Sequence, residues 1–536
     1  MKRTLLSIIA IFAICMFSFG QHWVDQGLGW STANRGVQNI FPVSSQIVWA
    51  SAYDGSGAAA ACQDVSVTSN GGTLWTAKKI NGVPGQSISM ITAIDASTAW
   101  AATYTVTGSI TAQGIYKTTN GGTTWTRLGT AGMFTNAASF PDVVYFWDAN
   151  NGCAIGDPVN SKFELYYTSD GGTTWTQVPV SSLPSTVTGE YGTTSNCAVV
   201  GNHIWFASNQ GLMYHSNDKG VTWTAAAAVG MSGINIWPAM KDANNGFAMK
   251  YLNGADTINL LDKTIDGGAT YTAATFDGQL FNGAINFVPG TTGTYAASGV
   301  DYTYTDREGI VYSFDNCATF HSIDPDLQGL QVNSMGWVND SVAWAGQFNS
   351  GTTDGIKKLT APVVVAAPDF TATATTIPLG GSIVFTNTST GNATTPCTYL
   401  WTFQGGTPLT STSKNPSAVT YSTSGTYDVS LKVSNAFGSV ITNTKSGYIY
   451  VGGVGIGETA QGNIKIYPNP VKDFVTIESG SGIQQVQLLN ITGQVVINQQ
   501  TDGKIITLNT SPLKSGVYFM KVTTDNGSFE KKIVIQ

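Results

Sequence analysis

The sequence predicts an all-β chain: a β-propeller of seven blades, with six as the alternative, followed by two small β-sandwich domains. Three observations predict it. The composition is 42% hydrophobic, 11% aromatic and only 11% charged, rich in turn formers and β-branched residues, so it can pack cores and is not that of a disordered chain. An eight-residue pattern with a terminal aromatic recurs at intervals of 48–50 residues. Past residue 360 that rhythm stops, and two stretches of alternating apolar and polar residues follow. At 536 residues the chain exceeds a single core, so several domains are expected.

The N-terminal stretch "MKRTLLSIIAIFAICMFSFGQ" has Lys2 and Arg3, an apolar run, then Ser18 and Gly20 at small positions. This predicts a signal peptide over residues 1–20, with an apolar run short for a membrane span. No later segment has enough uninterrupted apolar residues to serve as a transmembrane segment. The chain carries 25 basic against 32 acidic residues, and processing would remove two of the basic ones. A mildly acidic protein has no electrostatic footprint for nucleic acid.

The recurring pattern reads "TSNGGTLW" to Trp75, "TTNGGTTW" to Trp125, "TSDGGTTW" to Trp175, "SNDKGVTW" to Trp223, "TIDGGATY" to Tyr271 and "SFDNCATF" to Phe320. About 20–25 residues before each box lies a strand, a polar turn and a second strand, as in "DVVYFWDANNGCAIG". A further strand leads into the box, so each repeat holds about four strands, the content of one propeller blade. The glycines supply backbone angles that other residues resist, and the Asn or Asp side chain can hold the turn's amides. Asn70 and Asn120 alternate with Asp170, Asp218, Asp266 and Asp315 at one position. An amide replaces a turn acceptor but not a catalytic carboxylate, so the boxes read as structural. "HWVDQGLGW" before the first repeat and "SMGWVNDSVAWAGQF" after the last box suggest one blade shared between the two ends of residues 22–360.

The pattern Ser/Thr-x-Asp-x-Gly-x-Thr-Trp resembles the Asp-box, or BNR repeat, of sialidase-like, sortilin-like and photosystem-assembly-factor-like propellers. That resemblance implies structural hairpins on the periphery, away from any ligand face.

Residues 361–368, "APVVVAAP", read as a linker. Residues 369–451 alternate as a sandwich and resemble a PKD domain through the strand around Trp401 and "YSTSGTYDVSLKVSNAFG". Thr402 and Gly405 in "WTFQGG" replace the two aspartates usual at that turn, so the resemblance implies a spacer more than a calcium site. A second linker spans 452–463. Residues 464–536 resemble the C-terminal sorting domain of the Bacteroidetes type IX secretion system, through "YPNP", "LLNITGQVV", "SGVYFMKV" and the terminal "KKIVIQ". The resemblance implies that the type IX secretion machinery is a partner. It also implies a secreted or outer-membrane surface location, with removal of the signal peptide and sorting domain.

Catalytic chemistry is hard to find. A sialidase needs three converging arginines; after the signal peptide only Arg35, Arg127 and Arg307 remain, and Arg127 follows a box on an outer strand. Glu190 and Tyr191 are adjacent, so on a strand they face opposite sides. Asp142, Asp148, Asp157 and Glu164 form the densest acidic group; Asp148 belongs to a repeated turn (Asp95, Asp242), leaving Asp157 as a weak catalytic candidate. His22, His203, His215 and His321 lack metal-ligand spacing, and nothing calls for a cofactor. Five cysteines remain after processing, and pairing of Cys153 with Cys197 stays open. Trp49, Trp100, Trp147, Trp205, Trp237 and Trp344 recur near inner strands, where they pack between blades or face a ligand. The expected function is a secreted or cell-surface module binding a polysaccharide or protein. A glycoside hydrolase with carboxylates at the propeller centre is the alternative, and a structural or adhesion role a second one.

Overall fold

The computed structural model describes residues 22–58, 60–251, 260–281, 283–300, 307–321, 323–365, 367–389, 397–435, 437–452, 464–525 and 527–536. The expected signal peptide and most of the second linker lie outside them. The chain is nearly all β; among the described residues the helical turns are two 3-10 segments, Ile110–Ala112 and Val180–Ser182.

The first 360 residues form antiparallel sheets whose strands follow chain order. One runs Gln86–Ala93, Ala99–Thr105, Gly114–Thr118, Thr126–Leu128, and the same plan recurs over 141–177, 192–227 and 236–273. Ala284–Phe287, Tyr295–Val300 and Glu308–Ser313 make a three-stranded version. Strands Arg35–Pro42, Val48–Asp54, Asp64–Thr68 and Thr76–Lys79 belong to a larger sheet, joined to Val332–Asn339, Val342–Asn349 and Gly355–Leu359 through the Arg35–Asn349 and Gly36–Phe348 pairs. The strand Trp23–Gly27 completes that sheet by pairing antiparallel with Gly355–Leu359. N-terminal and late residues therefore share one sheet.

The first strands, Arg35–Pro42, Gln86–Ala93, Pro141–Phe146, Gly192–Val200, Ile236–Met240, Ala284–Phe287 and Val332–Asn339, each pack on the next, and the last returns to the first. This is the arrangement of a propeller. The second strands, such as Ala99–Thr105 and Val48–Asp54, are buried through their first five residues because a sheet covers each face. Small residues there (Ala101, Ala102, Ala50, Ala52) admit close approach of neighbouring sheets, and in four of these strands a tryptophan fills the wedge. Trp49, Trp100, Trp205 and Trp344 are 0% exposed. Their indoles tie adjacent turns: Trp49 Nε1 donates to Asp95 O at 2.9 Å, Trp100 Nε1 to Gly171 O at 3.1 Å and Trp205 Nε1 to Gly267 O at 2.7 Å.

In the PKD region, Thr376–Pro378, Val440–Gly452, Gly425–Asn435, Cys397–Phe403 and Thr410–Ser411 form one sheet around a core containing Phe370, Phe385, Trp401, Phe403 and Tyr421. Residues 464–536 form two sheets. One holds Lys465–Tyr467, Phe474–Glu478 and Ile505–Asn509; the other holds Val495–Gln500, Ile483–Leu489, Gly516–Thr524 and Gly527–Ile535. Strict alternation along Gly516–Thr524 turns Tyr518, Met520 and Val522 into the core that Val475, Ile477, Val486 and Ile533 complete.

Candidate functional site

The six boxes share one hydrogen-bond plan. The opening Ser or Thr hydroxyl accepts an amide four residues on: Thr68 from Gly72 (2.9 Å), Thr118 from Gly122 (3.0 Å), Thr168 from Gly172 (3.0 Å), Ser216 from Gly220 (2.8 Å), Thr264 from Gly268 (2.8 Å) and Ser313 from Cys317 (2.9 Å). The Asn or Asp oxygen likewise accepts an amide four residues on, at 2.8–3.0 Å: Asn70 from Leu74, Asn120 from Thr124, Asp170 from Thr174, Asp218 from Thr222, Asp266 from Thr270 and Asp315 from Thr319. These bonds hold the Asp266 carboxyl down to about 2, its Thr270 hydroxyl first among them. Gly171 and Gly172 have φ of +75° and +89°, and a Cβ on Gly171 would meet Ala149 O at 2.7 Å. Lys219, Asn316 and Cys317 adopt the same left-handed region where the fourth and sixth boxes lack glycine. The terminal Trp75, Trp125, Trp175, Trp223, Tyr271 and Phe320 are all buried.

A cavity of about 570 Å³ is lined by residues of six of the first strands and, from Gln86–Ala93, by Met90. It therefore follows the axis around which those strands cycle. Phe41, Tyr145, Trp237, Phe287 and Trp337 supply aromatic surface, and Asn39 and Asn286 supply amides. Phe41 and Tyr145 meet edge to face across it, 6.0 Å between centroids. Among the described residues Lys241 is its one charged lining residue, and Lys241 Nζ donates to Thr292 O. No carboxylate among the described residues lines it.

The strand Gly192–Val200 departs from regular pairing: its register breaks between Gly192 and Cys197. The residues between bulge toward the axis, with Ser195 at φ +60°. Thr194 Oγ1 accepts Gln38 Nε2 at 3.1 Å, Ser195 Oγ donates to Ser89 O at 2.6 Å and Asn196 Nδ2 to Ile236 O at 2.7 Å. Beyond this bulge lies a second cavity of about 200 Å³, lined by Tyr53, Tyr251, Trp237 and Asn333, with no charged side chain among the described residues. Gln38, Ser195, Trp237 and Asn333 line both cavities, so the bulge and its partners form the partition.

The structure disperses the acidic group. Asp148 Oδ1 caps its turn, accepting Asn150 N (2.9 Å) and Asn151 N (2.8 Å), as Asp95 and Asp242 cap theirs. Glu164 accepts the Tyr166 hydroxyl at 3.0 Å, and buried Glu190 accepts that of Tyr214 at 2.9 Å while Tyr191 points to solvent. Asp157 lines neither cavity: its Oδ1 accepts Gly192 N at 2.7 Å, and its carboxyl meets that of Asp142, itself 2% exposed. Burial first, then the charge of Asp157, raises Asp142 far above the carboxylate range; burial pushes Asp157 up to about 6.

Sequence spacing gave no sign of one further arrangement. His203 Nδ1 and His215 Nε2 lie 3.0 Å apart, and His215 stacks on Trp205 with centroids 4.6 Å apart. Burial, then His203, pushes His215 down to about 4. No group of three or more His, Cys, Asp or Glu with metal-binding geometry occurs among the described residues. Cys62, Cys153, Cys197, Cys317 and Cys397 are all free thiols, so the Cys153–Cys197 pairing that the sequence left open does not form; both pack in one cluster between sheets. Arg127 lies on an outer strand with its guanidinium donating to Gln113 O, and Arg35 is paired with Asp54 and Asp64.

Together these features define a modular all-β protein whose propeller carries an axial cavity and whose later domains are small β modules. Residues 369–446 match the PKD domain family, and residues 465–536 match the family described as secretion system C-terminal sorting domain. The sorting domain makes this a secreted or cell-surface protein that engages the type IX secretion machinery. No helix among the described residues is long and apolar enough to cross a membrane. No curated protein matches the chain. Among solved structures it is similar to YCF48 bound to D1 peptide, at 11% identity and TM-score 0.43, over 63% of this chain and 97% of that one. It is also similar to an ancestral GH74 enzyme, at 12% identity and TM-score 0.42, over 95% of this chain and 63% of that one. A third similarity is to PorZ, an essential bacterial surface component of the type IX secretion system of Porphyromonas gingivalis. That one stands at 11% identity and TM-score 0.19, over 96% of this chain and 100% of PorZ.

Proposed function

We propose that this is an extracellular binding protein whose propeller takes an uncharged polysaccharide or protein segment at its axial channel. One observation carries the reading: among the described residues, the 570 Å³ cavity presents aromatic faces and amides with no carboxylate. A buried charged ligand would lose its hydration there with a single lysine to offset it, and an uncharged one would not. Aromatic faces stack on sugar rings and apolar side chains alike. Trp237 is the platform, since it is half-buried and lines both cavities.

In this reading the ring has seven blades, the last built from Val332–Leu359 with Trp23–Gly27 as its outer strand. The boxes are BNR-type hairpins that hold blade corners. Residues 1–20 are a signal peptide, 22–360 the propeller, 369–451 a PKD spacer and 464–536 the sorting domain, with linkers at 361–368 and 452–463. Hydrolysis of a glycan with inversion would need two carboxylates about 6–10 Å apart across the cleft, and the described lining residues include none.

The test incubates the purified mature protein with a panel of plant and host polysaccharides and extracellular proteins, scoring retention and released reducing ends. Retention without new reducing ends supports the proposal. New reducing ends would replace it with a hydrolase, and no retention on any member would leave a structural or adhesive role.

A further inference from the structure

We propose that the Asp142–Asp157 carboxyl pair is a proton-operated latch on the axial channel: while the pair holds its proton the bulge at residues 193–196 stays seated across the axis, and loss of that proton releases it. The inference concerns regulation of the channel and rests on the binding reading for its purpose, though not for its test.

The geometry begins at Gly192, the last regularly paired residue before the bulge. Its amide donates to Asp157 Oδ1 at 2.7 Å. A Cβ at this glycine would lie 2.6 Å from Asp142 Oδ2, so the pair packs directly against the backbone that launches the bulge. Ser195 holds a left-handed backbone that a non-glycine residue adopts only at an energetic cost. The bulge is therefore held by its side-chain bonds to Gln38, Ser89 and Ile236 and by the Gly192 anchor, not by its own preference.

Among the described residues no cation sits against the pair. On the neighbouring strand Lys162 Nζ is bonded to Leu183 O and Ser185 Oγ, and Glu164 is taken by Tyr166. In the loop before Gly192, Glu190 is bonded to Val187 N and Tyr214. The bulge itself, Thr193 to Asn196, carries no titratable side chain, and Cys197 follows it. On the side of the preceding sheet, Tyr104 stacks on Phe140, next to the strand that bears Asp142. Two carboxyls in contact, Asp142 buried and Asp157 half-buried, resist ionising together, so they share a proton more readily than carboxyls in water.

The sign follows from linkage. Seated, the pair binds protons more tightly than carboxyls in water; any opening that admits water to it lowers that affinity. Protonation therefore favours the seated bulge, and rising pH favours release. With one proton lost per opening, the opening equilibrium changes by up to tenfold per pH unit.

The experiment is hydrogen–deuterium exchange of the mature protein from pH 6 to pH 8, corrected for the intrinsic pH dependence of exchange. Peptides spanning 192–197 are compared with the hairpin 168–175. Protection of 192–197 is expected to fall at least tenfold across this range while the hairpin stays level, and Asp142→Asn is expected to abolish the fall. Unchanged protection at 192–197 in the native wild type, or a fall that persists in D142N, would overturn the latch. Should D142N not fold, infrared spectroscopy of the wild type decides. A protonated-carboxyl band at pH 7 that vanishes on unfolding supports the pair, and its absence refutes it. Neither readout involves a ligand, so a failed binding panel leaves the latch standing and a failed latch leaves the binding reading standing.

Discussion

Replacing Trp100 by alanine separates a packing tryptophan from a ligand-facing one. Its ring is fully buried, stacks on Phe146 at 3.8 Å between centroids with the planes 8° apart, and sits beneath Lys117 Nζ at 4.8 Å. Phe146 in turn meets the box residue Trp175 edge to face at 5.8 Å, so Trp100 lies in the wedge between two sheets. Truncating a buried aromatic costs about 3–5 kcal/mol. The lost bond from Nε1 to Gly171 O adds little, because Lys117 Nζ also donates to that carbonyl at 3.2 Å. The sum is about 4 kcal/mol, or roughly 5 °C in Tm for a domain of this size. Trp100→Phe keeps a ring and loses the donor, so about 1–2 kcal/mol is expected. Calorimetry of the mature protein reads both, with the propeller transition resolved from those of the smaller domains. A Trp100→Ala shift under 1 °C, or loss of ligand retention at unchanged Tm, would refute the assignment of this tryptophan to packing.

Other expectations concern single sites. Asp170→Asn should change stability by less than about 0.5 kcal/mol, because Asn70 and Asn120 fill the same role, whereas Asp170→Ala removes the acceptor for Thr174 N and should cost about 1 kcal/mol; denaturant midpoints compare the two. Lys219→Gly should raise stability by about 0.5–1 kcal/mol, since the lysine holds φ +60° and its 3.3 Å contact with Asp148 is only partly buried. His215 binds its proton more weakly folded than unfolded, so its contribution is present above about pH 6.5 and lost as pH falls through about 4. On the order of 1–2 kcal/mol should disappear over that window once solvent screening of the half-exposed ring is counted. His215→Phe should lose that part of the slope in denaturation midpoints measured from pH 7 to pH 4.

The sequence announces what is local. Each box is a contiguous eight-residue device whose hydroxyl, carboxylate or amide, and glycines act within one hairpin, so the residues name their own geometry. The shared sheet was legible too, because "HWVDQGLGW" has the alternation of a strand with no partner nearby in the chain. What stayed hidden is long-range. Trp49, Trp100, Trp205 and Trp344 are indistinguishable by spacing from Trp237, yet of these five Trp237 alone lines the axial cavity, since facing depends on where each second or first strand sits in its blade. "GTTSNCAVV" looks like an ordinary strand; the break between Gly192 and Cys197 exists because Gln38 and Ser89, more than a hundred residues earlier, bind its side chains. Asp142 and Asp157 are fifteen residues apart, and no periodicity says that a hairpin folds them together. His203 and His215 pair for the same reason, as diagonal neighbours on adjoining strands.

The measurement that bears most directly on the account is the retention of Trp237→Ala and Asp170→Ala variants on whichever panel member binds the wild type. The account predicts that Trp237→Ala abolishes retention with Tm nearly unchanged, and that Asp170→Ala retains the ligand at wild-type strength with a slightly lower Tm. Full retention by Trp237→Ala, or loss of retention by folded Asp170→Ala, would move the binding site from the axis to the hairpins and contradict it.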